Sequence, residues 1–270
     1  MISSRLFVPV AALALALPAA GCQRESSDVT QRLDRIEKEQ KETNQLLRRL
    51  AAGGGGRGAA GDRKRHDPAV TYAIPVEGSP SKGPADAPVT VVEAFEYACP
   101  ACESARGVMD EIAKAYPNDV RVVYRTFLIH PQVATIPAQA GCAANKQGKF
   151  SEMSELIWDK GFKAGRNLTA ENMEKLAGEA GLDAGKFKAD MNGDECQKLV
   201  SEEHSSLAKL GVGATPSIFV NGRPLQRRSP DQFKALIDEE LAKAKQRIAQ
   251  GTKQADYYKE WVLEKGTKKL

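Results

Sequence analysis

Neither sign of charge dominates this chain. Its 39 Lys and Arg residues face 35 Asp and Glu, leaving a formal net charge of +4 over 270 residues, an excess too weak to argue for nucleic-acid binding. A long hydrophobic run is also missing. The most apolar stretch, Leu6 to Leu17, has about a dozen residues, too few to cross a bilayer core of ~30 Å as a helix. Histidine is scarce, with only His66, His130 and His204, and no second close Cys/His pair accompanies the one Cys-x-x-Cys. That disfavours a structural zinc site, which needs four ligands; no metal and no cofactor is expected.

Cysteine is sparing and odd in number: Cys22, Cys99, Cys102, Cys142 and Cys196. An odd count leaves one over, and the N-terminus accounts for it. Arg5, the apolar run and Pro18-Ala19-Ala20-Gly21 before Cys22 read as an export signal over residues 1–21. The Gly-Cys junction resembles the lipobox of bacterial lipoproteins, with Ala19 where Leu is usual. That resemblance implies lipidation of Cys22, against the alternative of cleavage by the ordinary signal peptidase. Each buried acyl methylene contributes ~0.8 kcal/mol to anchoring. The expected location is the cell envelope, on the periplasmic side, lipid-anchored to a membrane, in an oxidising compartment.

Residues 22–66 read as a tether. From Asp28 to Leu50, Val29, Leu33, Ile36, Gln40, Thr43, Leu47 and Leu50 recur at alternating 4,3 spacing, a heptad seam with two polar members. This is either a short coiled coil, able to join copies into a homo-oligomer, or a single solvated helix or stalk. Gly53-Gly54-Gly55-Gly56 and Arg63-Lys64-Arg65 follow, in a linker with an r.m.s. reach of roughly 20–25 Å. Pro75, Pro80, Pro84 and Pro88 punctuate an extended lead-in.

The chemistry lies in residues 67–270. Val89 to Phe95 is a short run rich in β-branched residues that ends before Cys99-Pro100-Ala101-Cys102, and reads as a strand. After it, Met109, Ile112, Ala113 and Tyr116 fall on one side of a helical pattern. Pro100 suits the first turn of that helix. Cys99 is thereby placed at the helix N-terminus, where unpaired N–H groups and the macrodipole stabilise a thiolate. Cys102, one turn in, is expected to be less exposed. The two read as a redox-active disulfide in which Cys99 exchanges with a client and Cys102 resolves the mixed disulfide. Glu93, on the strand, either points beneath the pair to relay a proton to or from Cys102 or is a surface carboxylate.

A second signal is Gly211-Val212-Gly213-Ala214-Thr215-Pro216-Ser217-Ile218-Phe219-Val220-Asn221-Gly222-Arg223. Thr215-Pro216 followed by an apolar strand and an Asn-Gly hairpin turn resembles the cis-proline loop of thioredoxin-fold proteins. With the Cys pair and a long intervening segment, the chain from about Val70 to Ile248 is similar to the DsbA-like branch of thiol:disulfide oxidoreductases. The resemblance implies an α/β fold: a β-α-β unit, a helical insertion over about 133–210, a β-hairpin and a closing helix. It also implies that Pro216 packs opposite the Cys pair, that Thr215 offers backbone groups to a client strand, and that Glu93 is the family's buried acid. Pro100-Ala101 departs from the Pro-His of strongly oxidising members, which leaves the reduction potential open.

The remaining pattern agrees with that layout. Asp119 to Ile129 is β-rich, and His130-Pro131 ends it, with His130 read as a turn residue rather than a catalytic one. Ala134 to Gly148, Lys149 to Gly161, Thr169 to Ala180, Asp183 to Met191 and Glu195 to Leu210 are helical in periodicity, with apolar stripes suited to the insertion's own core. Cys142 and Cys196 lie in that insertion. In an oxidising compartment they are expected to form a structural disulfide of a kind several DsbA-like proteins carry, the alternative being two buried free thiols. Pro230 to Ile248 reads as the closing helix, and Tyr257, Tyr258, Trp261, Val262 and Leu263 as a segment that caps the domain. The expected activity is protein thiol-disulfide oxidoreduction on cysteines of exported proteins, forming or isomerising disulfides, with an unidentified membrane or periplasmic redox partner. Two alternatives stand beside it: a reductase, or a thioredoxin-like module whose Cys99 and Cys102 carry copper(I), a soft ion suited to thiolates.

Overall fold

Val89–Phe95 is buried at every position, the mark of a central strand covered on both faces. The computed structural model describes residues 66–270 and, ahead of them, Lys38 alone. The export signal over 1–21, Cys22, the heptad seam over 28–50 and the glycine linker otherwise lie outside the described residues.

Five strands form one sheet in the order β1-β3-β2-β4-β5. They are β1 (Ser81–Lys82), β2 (Val89–Phe95), β3 (Val120–Thr126), β4 (Ser217–Val220) and β5 (Arg223–Pro224). β2 and β3 run parallel, which requires the crossover supplied by helix α1 (Pro100–Ala115). β4 pairs antiparallel with β2, setting Glu93 opposite Ile218 and Ala94 opposite Ser217. This register brings the start of β4, just after Pro216, beside the end of β2 that leads to the Cys pair.

Alternation along β2 divides the core. Val89 and Val91 face α1 and the closing helix α7 (Pro230–Ala249), packing with Met109, Ile112, Phe233 and Ile237. Val92 and Ala94 face the other way, against Phe127, Leu207 and Phe219. Glu93 falls on the first face by the period-2 rule, beneath α1.

The insertion is a set of helices: α2 (Pro131–Lys146), α3 (Phe150–Leu156) with a widened continuation Ile157–Phe162, α4 (Ala170–Glu179), α5 (Ala184–Asn192) and α6 (Asp194–Lys209). Met153, Ile157, Trp158, Met173, Leu176 and Phe187 form its core. Thr169 and Asp183 cap α4 and α5 through hydrogen bonds from Asn172 N–H and Lys186 N–H. Cys142 on α2 and Cys196 on α6 are joined by a disulfide, with Cα atoms 5.7 Å apart.

Residues 66–80 lie along one face of the sheet. They contribute Tyr72 and Ile74 to the core, and Tyr72 bridges to Thr267. The apolar side chains of this segment fill the face of the sheet left open beside α6, so it packs as part of the domain. Tyr258 donates to the Ile74 carbonyl at 2.9 Å, and the C-terminal segment thereby caps this end. Among the described residues no helix is long and apolar enough to cross a membrane.

Asn221 and Gly222 both take positive φ, 44° and 77°, the backbone of a tight hairpin turn. A side chain at Gly222 would meet the Tyr72 carbonyl oxygen at 2.4 Å. Asn221 is buried, accepts from Thr90 N–H at 2.8 Å and donates to the Pro88 carbonyl at 3.2 Å. One turn residue thus fixes the hairpin against β2.

Candidate active site

Pro100 opens α1, and Cys99 before it is extended at φ −93° and ψ 115°. This places the sulfur at the end of the helix rather than along its side. Cys99 is 7 % exposed and Cys102 1 % exposed, and both are free thiols. The Thr215–Pro216 peptide is cis, and the Cys99 thiol donates to the Thr215 carbonyl over 3.5 Å. Cys99, Cys102, Thr215, Pro216 and Glu93 are therefore brought together from two regions more than a hundred positions apart.

The electrostatics separate the two sulfurs. Cys99 is lowered to about 5, first by a hydrogen bond from Cys102 and against the cost of burial, with the Thr215 side chain and the backbone N–H groups of Cys102 and Ala101 adding to it. The same hydrogen bond, followed by burial and the nearby Glu93, pushes Cys102 upward. The pair shares one proton, carried by Cys102, so Cys99 is the nucleophile at neutral pH. Glu93, 3 % exposed, is raised to about 8 by burial and then by the negative charge on Cys99, with Arg228 acting in the opposite sense. It is thus a neutral acid at pH 7. A cavity of about 20 Å³ touches both Glu93 and Cys102 and is lined further out by Arg106, Asp110 and Lys82, room for one water and a route for a proton.

Glu96 is a residue that sequence reasoning missed. It is 1 % exposed and accepts from Ile129 N–H at 2.7 Å and His130 N–H at 2.9 Å. Its other oxygen pairs with Nδ1 of half-exposed His130, and its carbonyl accepts from Cys99 N–H at 3.3 Å. Glu96 thereby ties the start of α1 to the start of α2, where His130 occupies the cap position. The only sequence signal is a carboxylate in the apolar approach to the Cys pair. Cys142 and Cys196 are in the insertion, and Cys22 is outside the described residues. No group of three or more His, Cys, Asp or Glu among the described residues is placed to hold a metal ion.

A family model described as Thioredoxin matches residues 76–239. The Na(+)/H(+) antiporter NhaA of Herminiimonas arsenicoxydans is 33% identical over 145 residues, 54% of this chain and 22% of that protein. NhaA 1 of Mycolicibacterium gilvum is 32% identical over 161 residues, 58% of this chain and 25% of that protein. The chain thus spans a quarter or less of the length of these curated relatives. Among solved structures, oxidised BdbD from Bacillus subtilis superposes with a TM-score of 0.59 at 24% identity, covering 64% of this chain and 98% of BdbD. A thioredoxin-like oxidoreductase from Silicibacter pomeroyi gives 0.50 at 27% identity, covering 65% and 95%. A linker-deletion variant of Proteus mirabilis ScsC gives 0.53 at 20% identity, covering 85% and 99%.

Proposed function

Because this chain belongs to the thioredoxin family and carries the DsbA-like fold of a thiol-disulfide oxidoreductase, we propose that it works outside the cytoplasm, forming or isomerising disulfides in exported proteins while tethered to a membrane through Cys22. The observation that carries the reading is the split between Cys99, lowered to about 5, and Cys102, raised above it, facing a cis-proline loop.

In disulfide formation the protein starts with Cys99 and Cys102 bonded. A client thiolate attacks Cys99, a Cys99–client bond forms, the Cys99–Cys102 bond breaks and the electron pair leaves on Cys102. Glu93 supplies the proton that Cys102 then takes up. A second client thiolate attacks the client sulfur of the mixed disulfide and expels Cys99, which leaves easily because its thiolate is stabilised. The client loses two electrons and the Cys pair gains them; the unidentified redox partner takes them away. Isomerisation begins instead with the Cys99 thiolate attacking a client disulfide: a Cys99–client bond forms as the client disulfide breaks, a different client thiolate then attacks the client sulfur and expels Cys99, and no net electron transfer occurs.

Stabilising the Cys99 thiolate stabilises the reduced form, and that favours giving the disulfide away. Cys102→Ser tests the reading, because without its resolving thiol Cys99 holds clients as mixed disulfides. Exported cysteine proteins retained on Cys102→Ser, released by reductant and absent from Cys99→Ser, are the expected result. Equal capture by both variants would contradict it.

A further inference from the structure

The cis-proline loop borders a cleft of about 490 Å³ whose other wall is the connection from β5 to α7. Thr215 and Pro216 lie on one side, Arg227 and Arg228 on the other, and His66 also lines it. A second hollow of about 300 Å³ lies against α1 at Ala101 and shares Ile218 and Arg228 with the first. Arg228 thus borders both the hollow at the start of α1 and the cleft at the loop facing Cys99. No Asp or Glu lines either hollow.

The state of the arginines is the second observation. Arg223, on the same hairpin, is held by Glu239 at 2.6 Å and Glu240 at 3.0 Å. Arg227 and Arg228 are exposed, and among the described residues no carboxylate pairs with either. Two guanidinium groups therefore stand over an acid-free cleft with their donors open. Guanidinium forks match carboxylates in shape and charge, and unpaired cations around a concave site raise the association rate of anionic partners.

We propose that this cleft selects client segments in which the reacting cysteine is flanked by Asp or Glu, the client lying extended along Thr215 and Pro216 with its carboxylates on Arg227 and Arg228. This names the substrate class of the oxidoreductase reading above and rests on it. A client with Lys at the same positions meets like charge and is disfavoured.

The test uses the full chain and three cysteine peptides identical except for flanking Glu, Gln or Lys. Oxidation of the Glu peptide is expected to exceed that of the Lys peptide by about tenfold at low salt, with the ratio collapsing as the screening length shrinks to ~3 Å at 1 M salt. Arg227→Ser with Arg228→Ser is expected to bring the Glu-to-Lys ratio close to one, the ratio being read within the variant so that a change in its overall rate does not enter. Lys268→Ser with Lys269→Ser, the same charge change on exposed residues elsewhere, is expected to keep the ratio; losing it equally there would overturn the cleft in favour of net charge alone. Equal rates for all three peptides in the wild type, or a ratio unchanged in the arginine double variant, would overturn the preference and leave the oxidoreductase reading standing. Failure to oxidise any peptide would overturn that reading, and the preference with it.

Discussion

Cys99 and Cys102 are the same residue type three positions apart, and the fold makes them different by giving Cys99 the helix end and Cys102 the shared proton. Titration of thiolate absorbance in the reduced protein is expected to show a midpoint near 5 for Cys99; a midpoint near ~8.5, the free-thiol value, would contradict this. Glu93 carries the opposite cost. Its raised pKa of about 8 means that the native state holds this proton more tightly than the unfolded chain does. Its contribution is therefore most favourable below the ordinary Glu value and is lost as pH rises toward 8. Glu93→Gln is expected to stabilise the reduced protein by on the order of 2–3 kcal/mol at neutral pH, a gain that vanishes near pH 4. The same variant is expected to slow the opening of the Cys99–Cys102 disulfide by a client thiolate about tenfold or more. Denaturant titrations across pH and single-turnover kinetics of mixed-disulfide formation check the two effects separately.

At the level of elements, the site is a strand end, a helix start and a loop, each held by a contact from a distant part of the chain. Asn221→Ala leaves Thr90 N–H buried without its acceptor and is expected to cost about 1–3 kcal/mol. The Cys99 midpoint should not move, because none of its causes involves the hairpin turn. Chemical denaturation together with the thiolate titration checks both. These contacts also mark what was legible in the sequence. β2, the start of α1 and the Thr215-Pro216 loop could be read because their signals are local: β-branched residues in a row, Pro100 at a helix start, Asn-Gly in a turn. The link from Glu96 to His130 spans 34 positions and that from Asn221 to Thr90 spans 131, and no local pattern announces either. The core role of Tyr72 and Ile74 was hidden for the same reason. Their apolar character has meaning only once the sheet face that they cover is in place.

Across the whole domain, the sheet and the insertion are fastened twice. The buried Arg125 of β3 reaches Ser206 on α6 at 3.0 Å, and Glu203 of α6 accepts from Thr126 N–H at 2.7 Å. Within the insertion, the Cys142–Cys196 bond ties α2 to α6 across 54 positions. Replacing both cysteines with Ser is expected to lower stability by up to about 4 kcal/mol through the loop freed in the unfolded chain, with the Cys99 midpoint still near 5. Calorimetry and thiolate titration read these two outcomes. The central claim is that a fold which stabilises the Cys99 thiolate makes the Cys99–Cys102 disulfide a donor, and the reduction potential of that pair in glutathione buffers tests it most directly. We predict a value between about −120 and −200 mV, falling by ~30 mV per pH unit above the Cys99 midpoint, where one proton accompanies two electrons. A value at or below about −270 mV, in the range of a reducing thioredoxin, would contradict the account.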